Sequence, residues 1–315
     1  MSTSVSELVV SVAEQDDAAG MVEVIHAAFG ARPPLDPPST AITETPASVA
    51  ATLASGTGVY AEVAGRPAGA LLVVPTGPGL VTFARVSVHP DFQRHGIASA
   101  LVHAAEELAA RAGHRRVELF ARAEFGQLIT FWEHRGYVVD RPAPHGVILA
   151  KDLPAVVVVP TGPAMQDLGE RLAALLRPGD LLIATGDLGA GKTTLTQGIG
   201  RGLDTAGPVI SPTFVLSRIH PARGDGPALV HVDAYRLHSA EELDDLDLDA
   251  TLADAVTVVE WGAGLAEGLA EDRLEVDVVV RPAPDADDDL RLVALHGVGP
   301  RWAGVDLHAL RGHRG

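Results

Sequence analysis

A glycine-rich segment in the second half of the chain constrains the fold more than any other feature. The apolar run Leu181–Thr185 is followed at once by Gly186–Thr193, whose sequence GDLGAGKT fits the pattern G-x-x-x-x-G-K-[ST]. Glycines let backbone N–H groups surround a phosphate without Cβ clashes, and the N-terminus of a following helix adds partial positive charge. With a strand before it and the helix Thr194–Leu203 after it, the segment predicts a phosphate-binding loop in an α/β fold.

The lysine content supports this interpretation. Only two residues of the chain, Lys151 and Lys192, are lysines, against 22 arginines, and Lys192 occupies the lysine position of the pattern. An arginine is too bulky and planar for that position, so a compact point charge is required there. Neither lysine can supply the [NT]-K-x-D motif of guanine-specific proteins, because Lys151 lies in the sequence AKDL. ATP is therefore favoured over GTP by elimination.

A phosphate loop needs an acidic side chain to hold Mg²⁺, and two apolar strands end in one. These strands are Leu229–Asp233 and Val256–Glu260, and in a parallel sheet their carboxyl ends would lie beside the loop. Between the loop and the acids lies Ser211–Phe214, with the sequence SPTF, which we interpret as a segment that senses the γ-phosphate. The alternative interpretation of this segment is a simple proline turn.

Four segments, in this order and spacing, resemble the TsaE family. They are GDLGAGKTT at Gly186–Thr194, SPTF at Ser211–Phe214, HVDAYRL at His231–Leu237 and EW at Glu260–Trp261. The resemblance covers about residues 160–300. It implies a P-loop ATPase subunit of bacterial tRNA N6-threonylcarbamoyladenosine biosynthesis, which hydrolyses ATP while docked on the partner subunits that transfer the threonylcarbamoyl group.

The resemblance also implies roles for individual residues. Lys192 and Thr193 would bind phosphate and Mg²⁺, and Glu260 would complete the metal site. Asp233 and Thr213 would serve Mg²⁺, the attacking water or the γ-phosphate, with Lys192, Asp233 and Glu260 as the catalytic set. The residues expected to contact ATP are Gly186, Asp187, Leu188, Gly189, Ala190, Gly191, Lys192, Thr193, Thr194, Thr213 and Trp261.

The first half carries a second signature. The strand end Val86–Val88 is followed by Gln93–Ala98, with the sequence QRHGIA, which opens a long helix, and later by Phe131–Tyr137, with the sequence FWEHRGY. These segments resemble the GNAT N-acetyltransferases over about residues 7–150. The resemblance implies that acetyl-CoA binds through helix N-terminal amides. The residues expected to contact it are Val86, Ser87, Val88, Arg94, His95, Gly96, Ile97, Ala98 and Ser99.

Catalytic residues of the first half are not marked by a motif. The glutamate base, asparagine and tyrosine acid of the ribosomal-protein alanine acetyltransferases would fall at Phe120, Phe125 and Trp132 here, and these side chains cannot exchange a proton. The nearby groups that could transfer a proton instead are Tyr137, Glu118 and Glu124. Two hypotheses remain open: an acetyltransferase for another class of substrate, or a CoA-binding module with little activity.

Length and charge divide the chain. A length of 315 residues predicts two domains, and the formal net charge of −17 is unevenly shared, with −5 in residues 1–153 and −12 in residues 154–315. We therefore predict two α/β domains. Residues 1–153 are expected to form a GNAT-like domain with a mixed sheet and helices. Residues 154–315 are expected to form a TsaE-like P-loop domain with a mainly parallel sheet flanked by helices.

Composition also bounds location and partners. The chain contains no cysteine and no apolar run approaching the roughly 20 residues of a membrane span, so we expect a cytoplasmic protein without a membrane partner. Its acidity predicts that tRNA is reached only indirectly, through protein subunits. Two further hypotheses are an N-acetyltransferase regulated by a nucleotide-sensing P-loop domain, and a small-molecule kinase.

Overall fold

The computed structural model describes residues 8–212, 215–281 and 289–312. The chain divides into two compact units, Met1–Leu153 and Pro154–Gly315. Each unit contains a seven-stranded mixed sheet with helices, which confirms the α/β fold class. No helix among the described residues combines the length and apolar character needed to cross a membrane.

From residue 8 onward, where the structure describes it, the first unit contains seven strands and four α-helices. The strands are β1 (Leu8–Val12), β2 (Thr57–Val63), β3 (Arg66–Gly77), β4 (Leu80–Val88), β5 (Arg116–Arg122), β6 (Val138–Ala143) and β7 (Gly146–Asp152). The helices are α1 (Ala18–Gly30), α2 (Pro46–Ser55), α3 (Ile97–Ala112) and α4 (Gly126–Glu133). The strand order is β1-β2-β3-β4-β5-β7-β6, and only the pairing of β4 with β5 is parallel among these strands.

Helices cover both faces of this first sheet. Because successive strand residues point to opposite faces, neighbouring positions on β3 show which helix lies where. Ala70 and Leu72 belong to the apolar cluster formed with α1 and α2. A Cβ at Gly69 would instead meet Ile97 and Leu101 of α3 at 2.9 and 2.7 Å. Thus α1 and α2 lie on one face of the sheet and α3 lies on the other.

The second unit contains the remaining strands and helices. The strands are β8 (Ala155–Val159), β9 (Leu181–Thr185), β10 (Ser217–His220), β11 (Ala228–Asp233), β12 (Ala255–Glu260), β13 (Arg273–Arg281) and β14 (Leu290–Val298). The helices are α5 (Gly162–Ala173), α6 (Lys192–Gly202), α7 (Ala240–Asp244) and α8 (Asp249–Leu252). The sheet order is β10-β11-β12-β9-β13-β14-β8.

The parallel pairings of the second sheet lie at its centre. Strands β11, β12, β9 and β13 are parallel neighbours, whereas β10, β14 and β8 are added in antiparallel pairings. Both faces of the central strands are buried in apolar clusters. Leu182 and Val258 belong to one cluster, and their neighbours Ile183 and Val259 belong to another. This arrangement brings the carboxyl ends of β9, β11 and β12 to one edge of the sheet.

Candidate functional site

The phosphate-loop segment lies between β9 and α6. Three of its glycines, Gly186, Gly189 and Gly191, have φ values of +134°, +78° and +113°. A Cβ at Gly186 would lie 2.3 Å from the carbonyl oxygen of Val278 on β13, so only glycine lets the loop leave the sheet here. The first turn of α6 has N–H groups without intrahelical acceptors, and these are suited to bind an anion.

The Lys192 side chain is buried under the loop, with 4% of its surface exposed. Its Nζ donates to the carbonyl oxygens of Gly186 and Asp187, at 2.6 and 3.0 Å, and lies 3.8 Å from the centroid of the Trp261 ring. Burial lowers the pKa of Lys192, while the negative charge of Glu260 is the main opposing influence. The ammonium is therefore held in place by carbonyl oxygens and an aromatic face.

Glu260 connects the loop helix to the neighbouring strand. Thr193 Oγ1 donates to Glu260 Oε2 at 3.0 Å, and His231 Nε2 lies 2.7 Å from Oε1 of the same carboxylate. The side chains of His231 and Glu260 are buried, at 0% and 4% exposure. A buried carboxylate of this kind is oriented by its two partners, so its position beside Thr193 is defined before any ligand binds.

Asp233 and Trp261 lie at the same edge. Asp233 is directly opposite Glu260 in the parallel pairing of β11 with β12, and its Oδ1 accepts a hydrogen bond from the Tyr235 N–H at 3.1 Å. Trp261 has a positive φ of 62° and stacks edge-on against Tyr235, with the ring centroids 5.1 Å apart. The structure thus brings the predicted residues Lys192, Thr193, Asp233, Glu260 and Trp261 together. Thr213 lies outside the described residues.

Two residues near this site have no role assigned from the sequence. His231 stands in the HVDAYRL segment, and its alternation with Asp233 along β11 is a signal that both face the same way. Arg291 on β14 donates from Nε to the carbonyl oxygen of Ala190 at 3.2 Å. That contact depends on the antiparallel addition of β14, for which the loop sequence carries no signal.

In the first unit, four of the nine predicted coenzyme residues line a cleft, and the other five lie in the loop before α3 or in its first turn. Strands β4 and β5 pair only from Leu80 to Thr82 and from Arg116 to Glu118, and then separate. A cavity of about 980 Å³ includes Val86, Ser87, Val88 and Ala98 in its lining. Beyond this point the edge of β4 that faces β5 has backbone N–H and C=O groups that can hydrogen-bond to an extended ligand, as in strand addition.

The loop before α3 has the backbone expected of a phosphate cradle. Arg94 and Gly96 have positive φ values of 68° and 76°, and Gly96 is the N-cap of the helix. The His95 ring is turned back onto the loop, since its Nδ1 lies 2.8 Å from the Gln93 carbonyl oxygen. Ser99 accepts a hydrogen bond from Arg135, so of these predicted contacts the backbone amides are the groups most open to an anion.

The cavity is poor in groups that could move a proton. Phe120, Phe125 and Trp132 line it. Tyr137 is not among its lining residues. The Tyr137 hydroxyl donates to Glu106 Oε1 at 2.9 Å, and burial raises the pKa of Tyr137. Glu124 lines the cavity but is paired with Arg122 at 2.7 Å.

Glu118 also has a fixed partner. Its Oε2 accepts a hydrogen bond from Arg141 at 2.7 Å, and this bond holds the pKa of Glu118 below its ordinary value. Glu118 is not among the residues that line the cavity. Of the three proton-transfer groups named from the sequence, only Glu124 therefore reaches the cleft.

Arginines in the cavity wall are functional candidates that no sequence motif marks. Arg85 sits at an irregularity of the β3–β4 pairing with a φ of 55°, and it donates to Glu44 at 2.7 Å. Arg122 donates to Glu124 and to two backbone carbonyls of the loop after α1. Arg32 follows α1 and lies over the ring of Phe29. Because these arginines are isolated from one another along the chain, only the fold assembles them.

Fold and site together define a P-loop domain and a second α/β domain that has a cleft between two separated strands. Residues 159–284 match the family model for the threonylcarbamoyl adenosine biosynthesis protein TsaE, and residues 18–137 match the acetyltransferase (GNAT) family model. The chain belongs to the TsaE family through its second unit, and its first unit resembles the GNAT family.

Relatives and solved structures match one unit each. The TsaE protein of Streptomyces coelicolor is 56% identical over 149 residues, covering 47% of this chain and 100% of the relative. The Bacillus subtilis TsaE protein is 40% identical over 132 residues, covering 41% and 77%. A Thermoplasma acidophilum N-acetyltransferase, whose crystal structure contains coenzyme A, shares 13% identity with a TM-score of 0.42 over 46% of this chain and 99% of its own.

Proposed function

We propose that the second unit hydrolyses ATP as a subunit of the tRNA N6-threonylcarbamoyladenosine modification machinery, and that the first unit is an acetyl-CoA-dependent N-acetyltransferase. The observation that carries the ATPase proposal is the contact of Glu260 with Thr193 beside the buried Lys192. The TsaE family membership gives the reaction its setting in tRNA modification. The cytoplasm, where tRNA is modified, is the proposed location.

The residues at the loop fit Mg²⁺. Thr193 and Glu260 supply a hydroxyl and a carboxylate oxygen, which are the hard donors that Mg²⁺ prefers, and Asp233 lies opposite Glu260. No group of three acidic or histidine side chains among the described residues could hold a metal. Mg²⁺ usually keeps several waters and binds through one or two carboxylates together with phosphate oxygens, so it does not need a larger set of protein ligands. When bound, it would neutralise charge on the β- and γ-phosphates.

The protein's own groups would do the remaining work. Lys192, released from two loop carbonyls, would donate to phosphate oxygens and stabilise the charge that develops at the γ-phosphate. The loop N–H groups and the α6 N-terminus would bind the β-phosphate. Asp233, next to Glu260 at the sheet edge, would orient the attacking water or the water shell of the metal ion.

We assign the partners as the protein subunits that transfer the threonylcarbamoyl group, with tRNA contacted only through them. The second unit carries a formal charge of −12, so its surface repels a polyanion. Acidic residues are concentrated in exposed positions around α7, including Glu241, Glu242 and Asp244. A direct tRNA interface would require a local basic patch to overcome this repulsion.

The acetyltransferase proposal rests on the cleft between β4 and β5. Its separated strand edge, the α3 N-terminus and the 980 Å³ cavity fit an extended acyl-CoA. The backbone of Val86–Val88 would hold the coenzyme arm, and the amides of Arg94–Ser99 its phosphates. This cleft, rather than a proton-transfer residue, is what supports the proposal.

An ATPase assay of the full chain tests the leading proposal. Lys192→Ala is compared with Lys151→Ala, a matched control because Lys151 is the other lysine and pairs with Glu106 in the first unit. We expect slow hydrolysis by the wild type that rises when the partner transferase subunits are added. Lys192→Ala should abolish it and Lys151→Ala should leave it unchanged. Equal hydrolysis by both variants would refute the assignment of Lys192 to the ATPase site. Fast hydrolysis that does not change when the subunits are added would refute the proposed role in tRNA modification.

A further inference from the structure

One cavity arginine has no anionic partner among the described residues. The cleft of the first unit is lined by three arginines, Arg32, Arg85 and Arg122, and by one carboxylate, Glu124. Arg85 is paired with Glu44, and Arg122 with Glu124. Within the part of the chain that the structure describes, the Arg32 guanidinium has no ion pair or side-chain hydrogen bond.

The Arg32 guanidinium is nevertheless held in a defined position. Its Cζ lies 3.9 Å from the ring centroid of Phe29 and 5.5 Å from that of Phe125, which opens α4. Stacking on aromatic faces uses the plane of a guanidinium and leaves its N–H edge free. Burial lowers the pKa of Arg32, and desolvation is the cause. A partly desolvated cation with a free N–H edge is suited to bind a carboxylate through two parallel hydrogen bonds.

The position of Arg32 separates it from the coenzyme phosphates. Arg32 follows α1, which packs on one face of the sheet, whereas the phosphate-type loop opens α3 on the opposite face. The cavity extends between these faces where β4 and β5 separate, because its lining includes Arg32 as well as Ala98 of α3. A coenzyme that enters from the α3 face would therefore not occupy the α1 side of the cavity. The acetyl acceptor could bind on that side, next to Arg32.

We propose that Arg32 binds a carboxylate of the acetyl acceptor, so that the first unit acetylates an amine that also carries a carboxylate. This inference rests on the proposed acetyltransferase function. In the overall reaction the acceptor nitrogen forms a bond to the acetyl carbonyl carbon and the thioester C–S bond breaks. The sulfur leaves as the thiol, with the proton that the amine gives up. The carboxylate can come from a free amino acid or from an acidic peptide N-terminus.

The activity test uses matched acceptors with the full chain and acetyl-CoA. Each free amino acid is compared with its carboxamide, and each peptide with an acidic second residue with its amide counterpart. We expect kcat/KM to favour the carboxylate member about ten- to a hundredfold, the range of a hydrogen-bonded charge pair. Arg32→Gln should remove this preference, and Arg32→Lys should retain part of it. A preference for the carboxylate member that appears only among the free amino acids, or only among the peptides, identifies the source of the carboxylate.

Arg66→Gln is the matched control. Arg66 also lies over an aromatic ring, with its Cζ 5.0 Å from the Phe92 centroid, but it is paired with Asp91 and does not line the cavity. The control should retain the carboxylate preference. If wild-type protein acetylates carboxamides as fast as carboxylates, or if Arg32→Gln keeps the preference, the inference is wrong while the acetyltransferase function stands.

A binding measurement separates the inference from the function. Calorimetry on CoA-loaded protein compares an N-acetyl amino acid with its amide, using wild type, Arg32→Gln and Arg66→Gln. Carboxylate-dependent binding that is lost only in Arg32→Gln supports the inference even if no acceptor is acetylated, in which case the acetyltransferase function fails. Absence of carboxylate-dependent binding by the wild type overturns the inference. Unchanged CoA affinity shows that the Arg32 variant is folded.

Discussion

His231 Nε2 lies 2.7 Å from Oε1 of Glu260, inside the second unit and beneath the helix that follows the phosphate loop. The other oxygen of this carboxylate accepts a hydrogen bond from Thr193. Because both oxygens are engaged, the carboxylate cannot rotate freely at the edge of the sheet. His231 is therefore a positioning residue for the proposed metal site, as partners of metal ligands commonly are.

Replacement of His231 should disturb the metal dependence of hydrolysis. His231→Leu removes the hydrogen bond to Glu260, and we expect the apparent Mg²⁺ affinity in the ATPase assay to fall about 10- to 100-fold. His231→Gln places an amide nitrogen near the position of Nε2 and should restore much of it. Nucleotide affinity without Mg²⁺, measured with a fluorescent ATP analogue, should change little. A Leu variant with the wild-type Mg²⁺ titration would show that His231 does not position the carboxylate.

Two loop glycines should respond differently to alanine. Gly186 has a φ of +134°, and a Cβ there would meet the Val278 carbonyl oxygen at 2.3 Å. Gly189 has a φ of +78°, and a Cβ there would have no neighbouring atom within 4 Å, so alanine costs only about 1–2 kcal/mol of backbone strain. We expect Gly186→Ala to abolish ATP-analogue binding and Gly189→Ala to reduce it less. Equal binding by the two variants would contradict the steric argument.

A buried ion pair near the start of β9 should contribute to the stability of the second unit. Arg301 donates from Nε and Nη2 to the two oxygens of Asp180, at 2.8 and 2.7 Å, and the side chains are 9% and 3% exposed. Arg301→Leu removes the cationic partner of the buried Asp180 carboxylate, to which the Arg177 N–H still donates, and should lower the free energy of unfolding by about 3–5 kcal/mol. Urea denaturation of the full chain measures this change.

The exposed pair of Arg223 with Asp204 provides the control for that experiment. Its N–O distance is 3.4 Å, and both side chains are more than half exposed. Arg223→Leu should therefore lower the free energy of unfolding by less than about 1 kcal/mol. Similar losses in the two variants would mean that burial does not determine the contribution of the Arg301 pair.

The Glu118–Arg141 pair predicts an acid-sensitive contribution to the stability of the first unit. The hydrogen bond from Arg141 lowers the pKa of Glu118 from its ordinary value of 4.5. When the pKa of a carboxyl is lower in the folded protein than in the unfolded chain, its stabilisation is complete at pH values above the pKa in the unfolded chain. The stabilisation is lost as the pH falls through the pKa in the folded protein. Since Arg141 is half exposed, solvent screens the pair and its contribution to stability should be small.

Arg141→Gln tests this pH dependence by thermal unfolding. The melting temperature of the variant should lie about 2–4 °C below that of the wild type at pH 7, and the difference should disappear well below pH 4. Arg66→Gln, which alters an exposed pair in the same unit, should show a smaller difference at pH 7. A difference for Arg141→Gln that persists unchanged in acid would indicate lost packing rather than lost charge.

Strands β13 and β14 carry a sequence signal that the motifs do not use, whereas β10 carries none. β13 alternates buried Leu274, Val276 and Val278 with more exposed residues, and β14 alternates similarly at Val293 and Leu295. Period-two alternation of this kind indicates a strand with one buried face. β10 is only four residues long, so its strand conformation depends on pairing with β11 and is not visible in the sequence.

The sequence by itself determined the phosphate loop and the coenzyme loop, because both are built from contiguous residues whose glycines have local backbone requirements. Gly186 to Thr193 and Arg94 to Gly96 therefore carry their own signal. Only the tertiary structure placed His231 against Glu260 and Arg32 between Phe29 and Phe125. These contacts join residues from different elements, and their geometry follows from strand register and helix packing. No local pattern encodes it.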